Sequence, residues 1–157
     1  MSRESRTTIA AVLNEGERRL FYQQPLSGQR HGLRVMERLR RAGHQARPLL
    51  AAALLHDIGK TRYSYRWWDR SLVVAIDFLW PEKAAEWGQH SERPNRLQRP
   101  FVVKRHHPAW GAEAAAAVGS CAQTVALIAG HQERVEQWED DETARMLRSL
   151  QWADDLS

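Results

Sequence analysis

The chain has 157 residues, of which 43% are hydrophobic and 27% are charged, a composition typical of globular domains and unlike that of disordered or membrane chains. This length can bury one substantial core, so we expect a single domain over residues 1–157. The net charge of +4 favours phosphate-bearing partners, although a solvated basic surface is its more common cause.

The cysteine content and the length of the apolar stretches indicate the cellular compartment of the protein. The only cysteine, Cys121, cannot form an internal disulfide, and residues 1–10 are too polar for a signal peptide. The longest apolar segment outside the predicted helix cores, residues 71–80, is interrupted by Asp77 and falls short of the roughly 20 residues that span a bilayer. We therefore expect a cytoplasmic protein without a membrane span.

Apolar residues recur with the helical period along most of the chain, and no convincing strand-like alternation occurs, which predicts an all-α fold. A first helix is predicted over residues 7–23, with a break at Pro25, and a second runs from Ser27 to Gly43. Residues 49–55 are apolar on every side, which is typical of a central helix surrounded by protein, and Gly59 is expected to end it.

The chain after Lys60 is less regular. Residues 61–105 form an insert with one or two helices between residues 65 and 87. Pro108 is expected to start an alanine-rich helix that Gly119 closes. The remaining predicted helices cover residues 124–132 and 143–157, and an acidic turn over residues 136–142 precedes the last one. The sequence thus predicts a compact helical bundle with a partly irregular insert.

Four polar side chains are predicted on buried helical faces. His56 and Asp57 follow the apolar central helix, where an unpaired carboxylate is costly unless a cation or hydrogen bonds compensate for its burial. His31 and Asp154 each lie on the apolar stripe of their own helices. Each residue taken alone is more often a hydrogen-bonded core residue or a helix cap. Together, two imidazoles and two carboxylates make a credible ligand set for a divalent ion.

These residues resemble the HD superfamily of metal-dependent phosphohydrolases. The resemblance rests on His31, on the segment LLHDIGK at residues 54–60 and on Asp154 near the C-terminus, and it extends over about residues 27–157. It implies the helical bundle of an HD domain.

Two later histidines extend the resemblance. His107, directly before a proline, and His131 are similar to the third and fourth histidines of members that hold two metal ions, such as HD-type dinucleoside tetraphosphate hydrolases and HD-GYP phosphodiesterases. Gln132 stands where HD-GYP proteins usually have a second adjacent histidine, and the Gly-Tyr-Pro signature is missing.

The resemblance also implies a reaction. One or two divalent ions, of Fe, Mn, Ni, Co, Zn or Mg, would provide a hydroxide for attack on phosphorus. Asp57 would be catalytic and would bridge the two ions, and Lys60 would neutralise a phosphate oxygen of the substrate. The implied ligands are His31, His56, Asp57, His107, His131 and Asp154.

Substrate choice is expected to depend on residues 61–105, acting as a lid. Its aromatic and basic side chains offer stacking and phosphate contacts, although core or dimer packing is the more common role of such tryptophans. These candidates are Arg62, Arg66, Trp67, Trp68 and Arg70.

The expected partner is a phosphate-containing small molecule, and a nucleotide fits best. A catalytically silent nucleotide-binding module is one alternative. An HD-type nuclease is another, which the basic composition suits, but the sequence contains no nucleic-acid recognition motif.

Overall fold

The computed structural model describes residues 2–63, 73–76, 78–89, 94–134 and 141–157. Within these ranges all regular secondary structure is helical, which confirms the predicted all-α class. The helices are α1 (Arg3–Val12), α2 (Glu15–Gln23), α3 (Leu26–Arg41), α4 (Arg47–Leu55), a 3-10 helix (Ile58–Arg62), α5 (Pro81–Gln89), α6 (Arg99–Ala117), α7 (Ala122–Gly130) and α8 (Glu142–Asp155). In this part of the chain, no helix combines the length and apolar character needed to cross a membrane.

The predicted central helix is α4. Every residue from Leu49 to Leu55 is at most 3% exposed, because α1, α2, α3, α7 and α8 all pack against it. Each fully buried leucine contributes about 1.5–3 kcal/mol relative to an exposed one. The apolar core therefore holds in place the segment that leads into His56 and Asp57.

The prediction of a single helix over residues 7–23 is wrong, because the helical structure is interrupted between α1 and α2. Asn14 caps α2 by accepting a hydrogen bond from the backbone N–H of Glu17, whose carboxylate accepts one from the Asn14 N–H at 2.7 Å. Glu17 is fully buried, and Arg47 and Ser120 donate to it at 2.9 and 2.8 Å. These bonds compensate for the burial of its charge and tie α2 to α4 and to the turn before α7.

Glycines end two helices and bring two others into contact. As predicted, Gly43 and Gly119 follow the ends of α3 and α6, with φ angles of +90° and +80°. Gly59 does not end α4, contrary to our expectation, because α4 ends at Leu55 and Gly59 lies within the 3-10 helix. A Cβ atom on Gly59 would overlap the carbonyl oxygen of His107, so the absence of a side chain lets the 3-10 helix pack directly on α6.

Pro108 does not start a helix. It lies inside α6, which begins at Arg99, within the predicted insert. In that insert Val73, Ala84 and Phe101 form a small second apolar cluster. Trp67, Trp68, Arg66 and Arg70 lie outside the described residues, as does most of the acidic turn before α8.

Candidate metal centre

The bundle brings together all six side chains that the sequence nominated as metal ligands. They form two groups of three, and within each group the candidate ligand atoms lie within 4.8 Å of one another. The outer group consists of His31 on α3, His56 after α4 and Asp154 on α8, and the inner group consists of Asp57 after α4, His107 on α6 and His131 after α7.

The outer group is centred on the carboxylate of Asp154. Its Oδ1 atom lies 2.8 Å from His31 Nε2 and 3.4 Å from His56 Nε2, and the two Nε2 atoms are 3.3 Å apart. The side chains of His31 and Asp154 are 22% and 30% exposed, so this group borders on solvent.

The inner group is more deeply buried. The side chains of His107 and His131 are 0% and 2% exposed, and their Nε2 atoms are 3.2 Å apart. Asp57 Oδ1 lies 3.4 Å from His107 Nε2 and 3.9 Å from His131 Nε2. The same oxygen is 3.7 Å from His56 Nε2, so Asp57 faces both groups.

Backbone carbonyls orient three of the imidazoles. His56 Nδ1 bonds to the carbonyl of Ala53 at 3.0 Å, and His131 Nδ1 bonds to that of Ile128 at 2.7 Å. His107 Nδ1 lies 2.9 Å from the carbonyl of Val103. A carbonyl oxygen only accepts hydrogen bonds, so Nδ1 carries the proton and Nε2 of a neutral ring presents a lone pair.

The chemistry of these donors fits a metal ion. In their neutral forms, His107 and His131 direct two Nε2 lone pairs at each other over 3.2 Å, an arrangement that a cation between them would stabilise. Imidazole nitrogens and carboxylate oxygens are common ligands of divalent transition metals. Both groups could therefore hold an ion.

Comparison with known protein families agrees with this geometry. A family model described as the HD domain matches residues 29–157, which include all six side chains. The chain belongs to the HD-domain family. HD domains bind divalent metals, and the family consists generally of metal-dependent hydrolases. No curated protein and no solved structure matches the chain.

Pro108 has a role in this HD domain that the sequence analysis missed. A residue inside a helix normally donates its N–H to the carbonyl four positions earlier, but proline has no N–H. The carbonyl of Lys104 therefore lacks that bond, and it lies 3.1 Å from His107 Nδ1. Because Pro108 has no N–H, the Lys104 carbonyl can accept a hydrogen bond from the imidazole of His107.

Gln151 is a second residue that the sequence analysis missed. Its side-chain amide donates to the carbonyls of His131 and Glu133 at 3.1 and 2.8 Å. It lies one turn before Asp154 on α8, so it ties the inner group to the helix that supplies the outer carboxylate. The only sequence signal was an amide among the polar residues of an amphipathic helix, which is common on solvated faces.

The electrostatics of the site favour the deprotonated, metal-binding forms of Asp57, Asp154 and His131. For His56, burial alone would lower the pKa, but Asp57 and Asp154 raise it. Burial lowers the pKa of His131 to about 3. Burial alone would raise the pKa of Asp57, but His56, His107 and Lys60 together hold it well below its usual value. Hydrogen bonds from His31 and His56 likewise lower the pKa of Asp154 against the effect of its burial. The carboxylates and His131 are therefore ready for metal binding at neutral pH.

The two candidate substrate-binding cations have different surroundings. Lys60 Nζ lies 2.7 Å from Asp57 Oδ2, whereas the distances given above from the imidazoles are to Oδ1. The Arg62 guanidinium lies over the ring of Trp110, 4.7 Å from its centroid, and 3.9 Å from the carboxylate of Glu113. Lys60 is thus part of the polar cluster, whereas these contacts of Arg62 are to residues outside it.

Proposed function

We propose that this HD domain is a metal-dependent phosphohydrolase that cleaves a phosphoester or phosphoanhydride bond, most simply in a nucleotide. The observation that supports this proposal is the meeting of four imidazoles and two carboxylates from separate helices in the interior. Burying so many polar groups is unfavourable unless a cation or hydrogen bonds compensate for their desolvation.

The two groups divide the metal-binding work. We assign His31, His56 and Asp154 to one ion, and Asp57, His107 and His131 to another. Asp57 Oδ1 faces imidazoles of both groups, so we assign it the bridging role. The mixed nitrogen and oxygen ligands suit Fe, Mn, Ni, Co or Zn, and Mg is a further candidate.

The chain's own residues would orient the reactants. When bound, divalent ions at such sites supply acidified water as a nucleophile near neutral pH. Lys60 holds Asp57 Oδ2 and so keeps Oδ1 directed at the imidazoles. Its side chain is 33% exposed, which leaves its positive charge available to a phosphate oxygen as charge develops there. Because His31 and Asp154 are the most exposed of the six, substrate would approach from their side.

The test is a hydrolysis screen on the purified protein, with elemental analysis of the same preparation. We would supply p-nitrophenyl phosphate, bis(p-nitrophenyl) phosphate and nucleoside mono-, di- and triphosphates, adding each metal in turn. We expect one or two equivalents of metal per chain and metal-dependent release of phosphate or nitrophenol. Metal-loaded protein that hydrolyses nothing while binding nucleotides would instead support a silent binding module.

A further inference from the structure

The excess positive charge of the chain is concentrated on one helix. Helix α3 carries five arginines and a single glutamate, a net charge of +4, which equals the formal net charge of all 157 residues. The excess positive charge is therefore not spread evenly over the surface of the protein. It belongs to the helix that also supplies His31 to the outer group.

Two of these arginines, Arg30 and Arg34, lie on the same row of α3 as Arg38, whose side chain contacts α8 beside Asp154. Arg34 lies three residues after His31, so the Cβ atoms of these two residues are about 5–6 Å apart, and Arg30 lies one turn before Arg34. Both arginines are exposed. These guanidinium groups would therefore be within reach of a ligand that enters past His31 and Asp154.

Two of the arginines farther along α3, Arg38 and Arg41, already have partners. Arg38 donates to the carbonyl of Ala153 at 3.4 Å and to Ser157 Oγ at 3.1 Å, and so fastens the end of α8. Arg41 pairs with Glu37 at 4.0 Å. Arg30 and Arg34, by contrast, have no hydrogen bond or ion pair with any residue in the described part of the chain.

We propose that Arg30 and Arg34 form an anion-binding site at the mouth of the metal centre, and that the substrate is a small molecule with two or more linked phosphate groups. This inference rests on the proposed function, because one phosphate must lie at the metal centre while another reaches the arginines. A guanidinium stays charged at any physiological pH and can bind a phosphate through two parallel hydrogen bonds.

The distribution of partners favours a small polyanion over a nucleic acid. A single-stranded nucleic acid would follow a long basic track and make phosphate contacts along it. On α3, the exposed arginines without partners among the described residues, Arg30 and Arg34, occupy about one turn beside His31, and Arg38 and Arg41 are paired within the protein. Within the same described ranges Arg40 has no partner for its Nε atom, but it is half-buried and lies on the opposite face of the helix from His31. A nucleoside di- or triphosphate matches this short spacing.

The test compares a double variant, Arg30→Gln/Arg34→Gln, with Arg41→Gln, which removes a single positive charge from the same helix farther from His31. The probes are inorganic tripolyphosphate and orthophosphate, titrated calorimetrically into the metal-loaded full chain. We expect the double variant to lose about tenfold or more in tripolyphosphate affinity, as charge-assisted hydrogen bonds are lost. In the double variant, orthophosphate affinity should stay within about twofold of the wild-type value. Arg41→Gln should change neither the tripolyphosphate nor the orthophosphate affinity, because both affinities depend on contacts near His31.

Several results would overturn the inference. Wild-type tripolyphosphate affinity in the double variant would remove the site, and equal weakening by Arg41→Gln would reduce it to a general charge effect. A single-stranded oligonucleotide that binds more tightly than tripolyphosphate and responds to all three arginines would favour a nucleic acid.

Failure of the proposed function has a different signature. In that case the metal-loaded protein would hydrolyse none of the substrates in the screen. The titration measures binding and not turnover, so a selective loss of tripolyphosphate affinity in the double variant would still be measurable, and the two proposals fail separately.

Discussion

The outer and inner groups contain the same donor types but hold them differently. In the outer group, an imidazole and a carboxylate pair directly at 2.8 Å and both border on solvent. In the inner group, two buried imidazoles anchored on carbonyls direct their Nε2 atoms at each other. The outer polar atoms can thus satisfy one another without an ion, whereas the inner nitrogens cannot in their neutral forms. We therefore expect the inner ion to be held more tightly and the outer one to exchange faster.

The largest expected effect comes from the residue that joins the groups. Asp57→Ala should remove both ions and reduce turnover at least about 10³-fold. The variant lacks the carboxylate that would bridge the ions, and the imidazoles that face it lose their anionic neighbour. Elemental analysis and the hydrolysis assay would check this result. Asp155→Ala, an exposed carboxylate next to Asp154, is the control and should keep metal and activity. Full activity in metal-free Asp57→Ala would contradict the hydrolase proposal.

Single histidine variants separate the two groups. His131→Asn should reduce the metal content by one equivalent and remove the tightly held ion, while His31→Asn should remove the weakly held one. Each should lower turnover by about 100-fold if two ions are needed. Competition with a chelator measures the affinity of the ion that remains. If His31→Asn left only a weakly held ion, the ranking of the two groups would be reversed.

Pro108→Ala should separate fold stability from metal binding. The new N–H would bond to the Lys104 carbonyl, which stabilises α6 by up to about 3 kcal/mol, the usual cost of an interior proline. The same bond would compete with His107 Nδ1 and weaken binding of the inner ion about tenfold. Thermal unfolding and metal titration would measure the two effects. A gain in stability with unchanged metal affinity would show that the Lys104 carbonyl has no role in orienting His107.

Lys60→Ala should have the smallest effect of the four. The ligands remain, so the metal content should stay at the wild-type level, while turnover falls about tenfold through loss of a charge that stabilises the phosphate. Steady-state kinetics and metal analysis on one preparation would test this. Loss of the metal would mean that Lys60 acts mainly by orienting Asp57.

Burial explains which parts of this organisation the sequence could predict. The apolar run of α4 predicted a surrounded helix, and a His-Asp pair at its end required compensation for its burial, so His56 and Asp57 stood out. The helical stripes placed His31 and Asp154 on inward faces for the same reason. The break before α2 could also have been predicted from the sequence, because Asn14 and Glu17 have the spacing of a capping box, which our prediction overlooked.

Other features depended on contacts between distant parts of the chain. Proline usually occurs in the first turn of a helix, so Pro108 predicted a start. Its interior position becomes understandable only once His107 uses the Lys104 carbonyl and Gly59 packs against the same turn. Gln151 was equally hidden, because the carbonyls that it bonds belong to a segment about 20 residues away.

The most direct test of the central claim is anomalous diffraction from a crystal of the full chain grown with Mn²⁺. The account predicts two anomalous peaks, one among His31, His56 and Asp154 and the other among Asp57, His107 and His131. Density at both groups with no anomalous signal, or a metal bound only elsewhere on the surface, would contradict it.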